Sequence, residues 1–295
     1  MSDTISKNDH GFLDRHFKLK AKGTNVRTEI IAGITTFVAM AYIIFVNPSI
    51  LKEAGIPVEA AVAATIWSAA LCTIAMGLFA NLPVAMAPGM GLNAFFTFYV
   101  CKTVGLNWET ALGAVFVSGL VFFVLTVTKL RQMIIDAVPM SLKSATVVGI
   151  GMFIAFVGLQ SSNLIVESPA TKITLGTFSD PKVDLALLGV LIIGALLALK
   201  IRAAMLIGIV TVTVIGMIFG VTKAPEGISD VVSFSFPGMG ETFLKMDLVG
   251  AFHYGLISII FTFTIVELFD NIGTLIGVTK AAGLVDKDGK IENCD

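Results

Sequence analysis

Eight apolar runs, at about 30–46, 59–80, 84–100, 109–128, 138–160, 183–199, 203–221 and 249–277, decide the solvent in which this chain folds. Crossing the hydrocarbon core of a bilayer, about 30 Å, takes roughly 20 helical residues, and most of these runs have that length. Hydrophobic residues make up 56% of the sequence and charged ones 14%, whereas a soluble domain carries about a quarter. The expected fold class is therefore an all-α polytopic membrane protein. The polar, basic residues 1–28 precede a run too long for a signal-peptide core, so the first span is expected to stay in the mature chain. A formal net charge of −1 argues for no nucleic-acid partner. Cys72, Cys101 and Cys294 share no metal or redox spacing, and the first two read as small buried hydrophobes.

The sign of the charges sets an orientation. With the N-terminus in the cytoplasm, fourteen Lys and Arg fall inside, among them Lys18, Lys20, Arg27, Lys129, Arg131, Lys200 and Arg202. Six fall outside: Lys52, Lys102, Lys172, Lys182, Lys223 and Lys245. The positive-inside rule favours that arrangement. It also favours eight crossings, because omitting the short third run would invert every later loop. Loops 161–182 and 222–248, both outside, are expected to be ordinary solvated loops with short amphipathic pieces. Pro48, Pro57, Pro83 and Pro139 are expected at span ends, where a missing N–H costs least.

Two stretches carry candidate chemistry. The first, "VAMAPGMGLNAFF" at 84–96, places Pro88, Gly89, Gly91 and Asn93 inside a run that ought to span. Pro88 removes a helical donor and the glycines admit unusual torsions, so a backbone break is expected there. At membrane depth, irregular backbone survives only where protein or a water-filled cavity satisfies it, as in the discontinuous spans of secondary transporters. A kinked packing helix is the alternative, with Asn93 as a helix cap. The second stretch, "FTFTIVELFDNIGTLIG" at 261–277, sets Glu267 and Asp270 one turn apart within the eighth run. Ionisable groups at a helix centre cost about 2.5–3.5 kcal/mol each and face a cavity or a partner. Glu267, Asp270, Thr274 and Gly277 follow helical spacing along one face, which is expected to look into the protein. Glu267 as a hydrogen-bonded packing carboxyl remains open.

Four segments in order, "TEIIAGITTFVAMAYIIFVNPSIL", "APGMGLNAFF", "SLKSATVVGIGMFIAFVGLQ" and "ELFDNIGTLIGV", resemble the azaguanine-resistance-type purine permeases, a branch of the nucleobase/ascorbate (nucleobase:cation symporter) family. The resemblance implies fourteen spans as two inverted repeats of seven, built into core and gate domains. It further implies short extended strands in the third and tenth spans that meet near mid-membrane beside the eighth. On this basis residues 1–28 are a cytoplasmic segment, 29–248 the first repeat, and 249–295 the first span of the second repeat with a following cytoplasmic segment. The tenth-span carboxylate of the family has no counterpart here, so the chain resembles about the first two-thirds of a permease. Asp270 falls at the family's eighth-span substrate carboxylate and Asn93 at a third-span position associated with purine recognition. Glu267 is the less firmly assigned neighbour, and Thr274 lies on the same face.

The expected function is purine:proton symport by alternating access in the plasma (bacterial inner) membrane. A carboxylate accepts from ring N–H and amino groups, and an amide gives and takes one bond each, the two-point match used in base readout. Asp270, Glu267 or the pair would carry the coupling proton. The expected partners are a purine base (hypoxanthine, guanine or adenine), a proton and the lipid bilayer, with a homodimer as one assembly to test. No cofactor, metal site or catalytic residue is expected. The rival readings are an anion transporter or channel on a related scaffold, which two acids on the site face disfavour, and an inactive truncated permease. An enzyme is disfavoured because the spans hold no nucleophile with a base and no His-rich cluster.

Overall fold

The computed structural model describes residues 16–20, 23–128, 130–201, 203–224, 239–253 and 257–281. Helix α1 (Val26–Met40) opens on Asn25, whose side chain accepts the Thr28 N–H at 3.0 Å, with Glu29 in the first turn favoured by the helix dipole. After a turn at Ala41 and Tyr42 the chain continues as α2 (Ile43–Lys52). Pro48 lies inside α2 and is buried, not at a span end. Pro57 caps α3 (Val58–Ala75), which passes into π-helix over Met76–Ala80 and stops at Asn81, in the left-handed region at φ 51°.

Residues 81–89 are then non-helical. Helix α4 (Met90–Ala94) follows and continues as nine π-helical residues, Phe95–Thr103. The third run is thus broken at its start, with a short helix after the break. Gly91 is a correction: it sits buried within α4 rather than in the break, which holds Pro88 and Gly89.

Asn107 caps α5 (Trp108–Val127), accepting the Thr110 N–H at 3.1 Å. The short α6 (Leu130–Ala137) leads to α7 (Met140–Ser161), which starts after Pro139. Where a plain loop was expected, β1 (Ile165–Ser168) and β2 (Lys172–Leu175) form an antiparallel hairpin, Ile165 opposite Leu175. Asp180 clasps its base: the carboxylate takes the Lys182 N–H at 2.9 Å and the Asn163 amide at 3.1 Å. These bonds, the backbone one foremost, hold its pKa below the usual carboxylate range. Asp180 also caps α8 (Pro181–Ala198), with Pro181 in the first turn, and α9 (Ala204–Ile218) follows. Later in the described residues come α10 (Met239–Thr242), α11 (Leu248–His253) and α12 (Ile257–Ala281).

Helix α2 packs on α3, α8 on α9, and α5 on both α11 and α12; α12 also meets α7 and α4. Ile56, Ala61, Phe96, Val100, Ala111, Ala114, Ala251, Ile259 and Phe263 form the main core. Its many small side chains let helix axes approach closely, the packing used where the hydrophobic effect does not drive helices together. Large apolar residues face outward instead, such as Ile34, Phe37, Phe123 and Phe219. Cys72 is likewise exposed and Cys101 half-buried, so the expectation of two buried cysteines fails. Among the described residues, Val26–Lys52, Val58–Ala80, Trp108–Val127 and Pro181–Ala198 are long and apolar enough to cross a membrane, with shorter apolar helices at Gly151–Ser161 and Ala204–Ile218.

Candidate functional site

The broken segment is pinned from behind. Thr73 of α3 accepts the Met86 N–H at 2.9 Å and donates to the Met86 carbonyl at 3.3 Å. One hydroxyl thereby replaces two backbone bonds that helix would have supplied. Gly89 caps α4 in an extended conformation, φ −71° and ψ 113°, and its carbonyl accepts the Asn93 N–H at 3.1 Å.

Asp270 of α12 faces this cap. A Cβ added to Gly89 would stand 3.0 Å from Asp270 Oδ2, so the carboxylate occupies room that exists because residue 89 has no side chain. It lies beside the N-terminal end of α4, where the first N–H groups lack intrahelical partners and the dipole favours negative charge. Thr274 stands one turn on along the same helix and is exposed. Glu267 and Asp270 are both half-buried, next to the buried Leu268 and Phe269.

Asn93 points elsewhere than the capping alternative requires. Its Nδ2 donates to Asn47 Oδ1 of α2. Asn47 Nδ2 in turn donates to Thr65 Oγ1 of α3 at 2.8 Å, and Thr65 donates to the Ala61 carbonyl at 2.6 Å. Asn93, Asn47 and Thr65 line a cavity of about 230 Å³ together with Pro88, Phe96 and Phe263. Phe263 closes it edge-on to Phe95, ring centroids 5.3 Å apart. Asp270 is not among the cavity's lining residues. The Pro88–Gly89 step lies between them, with Asp270 against Gly89 and the cavity against Pro88.

Asn47, Thr65 and Thr73 were not singled out by the sequence reading. Asn47 had a visible signal, a polar amide directly before a proline in the apolar "IIFVNPSIL". The threonines had none, because a threonine in a span ordinarily bonds its own helix four residues back, as Thr65 does to Ala61. Among the described residues no group of His, Cys, Asp and Glu is arranged to hold a metal.

Several apolar helices long enough to cross a bilayer, packed around a chain break that faces a carboxylate, are features of an integral membrane protein. Residues 27–294 match the Permease family model, and the chain belongs to this family of nucleobase permeases. A Methanocaldococcus jannaschii protein named as a permease is 47% identical over 95% of this chain and 63% of its own length. Adenine permease AdeP of Escherichia coli is 43% identical over 97% of this chain and 63% of its own length. Guanine/hypoxanthine permease PbuO of Bacillus subtilis is 39% identical, covering 94% and 64%. The chain thus spans somewhat under two-thirds of the length of the curated relatives it matches.

Proposed function

We propose that this chain carries the substrate half-site of a purine nucleobase:proton symporter that works by alternating access. The observation behind the proposal is the seating of Asp270 against Gly89 at the N-terminal end of α4. A base docked at the break offers ring N–H and amino groups to the Asp270 carboxylate and to Asn93, each charge-assisted bond contributing about 1.5–3 kcal/mol. Glu267, one turn away, shapes the site or shares the coupling proton, and Thr274 steadies Asp270. Relatives named for adenine and for guanine/hypoxanthine support a purine as the base. The finer architecture goes with the same reading: eight crossings, 29–248 as the first of two inverted repeats of seven, and an N-terminus on the cytoplasmic side of the plasma membrane. The non-helical stretch 81–89 goes with the second extended segment that the family resemblance implies.

The test is uptake of radiolabelled adenine and hypoxanthine by cells that lack their own purine permeases. Expression of the protein is expected to confer uptake that a protonophore abolishes. Asp270→Asn, present at wild-type level in the membrane, is expected to lower that uptake at least tenfold. Uptake indifferent to the protonophore, or unimpaired in Asp270→Asn, overturns the proposal.

A further inference from the structure

An asparagine carries a donor and an acceptor at the same reach, and which one it shows a ligand depends on what holds the other. Behind Asn93 the contacts form one donor series. Thr65 gives its single proton to the Ala61 carbonyl, at 2.6 Å. Thr65 Oγ1 is then left as an acceptor, and the Asn47 NH2 must face it, at 2.8 Å. That turns Asn47 Oδ1 toward Asn93, where only an N–H can meet it, and Asn93 Nδ2 does so. Asn47 and Thr65 are each 2% exposed. Flipping one amide alone sets like against like, and flipping both makes Thr65 give up its bond to the Ala61 carbonyl, which disfavours the reversed series by up to about tenfold. The polarity of the whole series is thus anchored in one main-chain carbonyl of α3. Asn93 Oδ1, at its free end, accepts no hydrogen bond from the described residues.

We propose that Thr65 and Asn47 are positioning residues that lock Asn93 with its carbonyl oxygen toward the ligand, so that the site selects planar bases presenting an N–H or amino group there over bases presenting a bare acceptor. The proposal rests on the purine-site reading above. It adds that selectivity among bases is set two residues behind the one that touches the ligand. Thr65→Val keeps shape and removes the hydroxyl, which frees Asn47 to rotate and lets Asn93 show either end. Thr65→Ser keeps the hydroxyl.

The experiment is competition by unlabelled adenine, hypoxanthine and guanine against radiolabelled adenine or hypoxanthine, in membranes holding the intact protein. The readout is the ratio of inhibition constants between bases. Thr65→Val is expected to compress that ratio about tenfold and Thr65→Ser to restore it. Thr65→Ala, which removes the hydroxyl without apolar bulk, decides the matter if the valine variant fails to reach the membrane. A uniform rise of every inhibition constant in the hydroxyl-less variants, or no change in them while Asn93→Ala alters the ratio, overturns the relay and leaves the purine site standing. No change in Asn93→Ala overturns both.

Discussion

At Gly89 the backbone torsions are ones any residue can adopt, φ −71° and ψ 113°, so glycine is needed for room rather than for conformational freedom. A methyl there would stand 3.0 Å from Asp270 Oδ2, and the carboxylate would have to shift by a few tenths of an ångström. Gly89→Ala is therefore expected to leave the thermal midpoint of the detergent-purified protein almost unchanged. Purine affinity in a binding assay is expected to fall at least tenfold. A loss of stability matched by no loss of affinity would show that the contact is only packing. The sequence reading found Gly89 and Asp270 for separate reasons, a helix break and a buried charge. Their meeting was not legible, because 180 residues lie between them and nothing local encodes the distance. Asn47 was passed over for a related reason: its role exists only once α2, α3 and α4 converge on it.

Glycines on α5 separate packing from propensity at the scale of one element. Gly113 is buried, and a Cβ there would run into the Asp247 main chain, 2.9 Å from its carbonyl carbon, and stand 3.2 Å from the Ala251 Cβ. Asp247 is also the residue that starts α11, accepting the Gly250 N–H at 2.9 Å and the Thr110 hydroxyl at 3.3 Å. Gly113→Ala thus forces α11 away from α5 and is expected to cost about 1–3 kcal/mol. Gly119, two turns on, meets nothing within 4 Å. Gly119→Ala is expected to be neutral or to stabilise by about 0.5–1 kcal/mol, the propensity difference alone. Thermal unfolding of the two variants side by side checks the contrast, and equal effects would contradict the packing of α11 on α5. At this scale the caps were legible in principle from Asn25, Asn107 and Asp180 before helical runs. The hairpin β1–β2 was not, since four-residue strands leave too short a pattern to separate from loop.

For the molecule as a whole, the topology proposed from the charge count can be tested directly. Single cysteines at Lys20 and at Lys102, in a protein otherwise without cysteine, are expected to react with a membrane-impermeant thiol reagent from opposite sides of sealed cells and inverted vesicles. Labelling of both from one side would remove the crossing assigned to residues 84–100. Lys102 is paired with Glu53 at the far end of α2, so both elements should end on the same side. By itself the sequence determined the solvent and the helical class, and it marked two stretches of candidate chemistry, because apolar length, charge cost and chain-breaking residues are local properties; the family was legible from the order of four motifs. Only the tertiary structure decided that the break precedes α4, that Gly89 makes room for Asp270, and that Asn93 answers to Asn47 and Thr65. Those are relations between helices distant in sequence, and they are fixed by which small residues let the helices touch and by which hydroxyl has a proton to give.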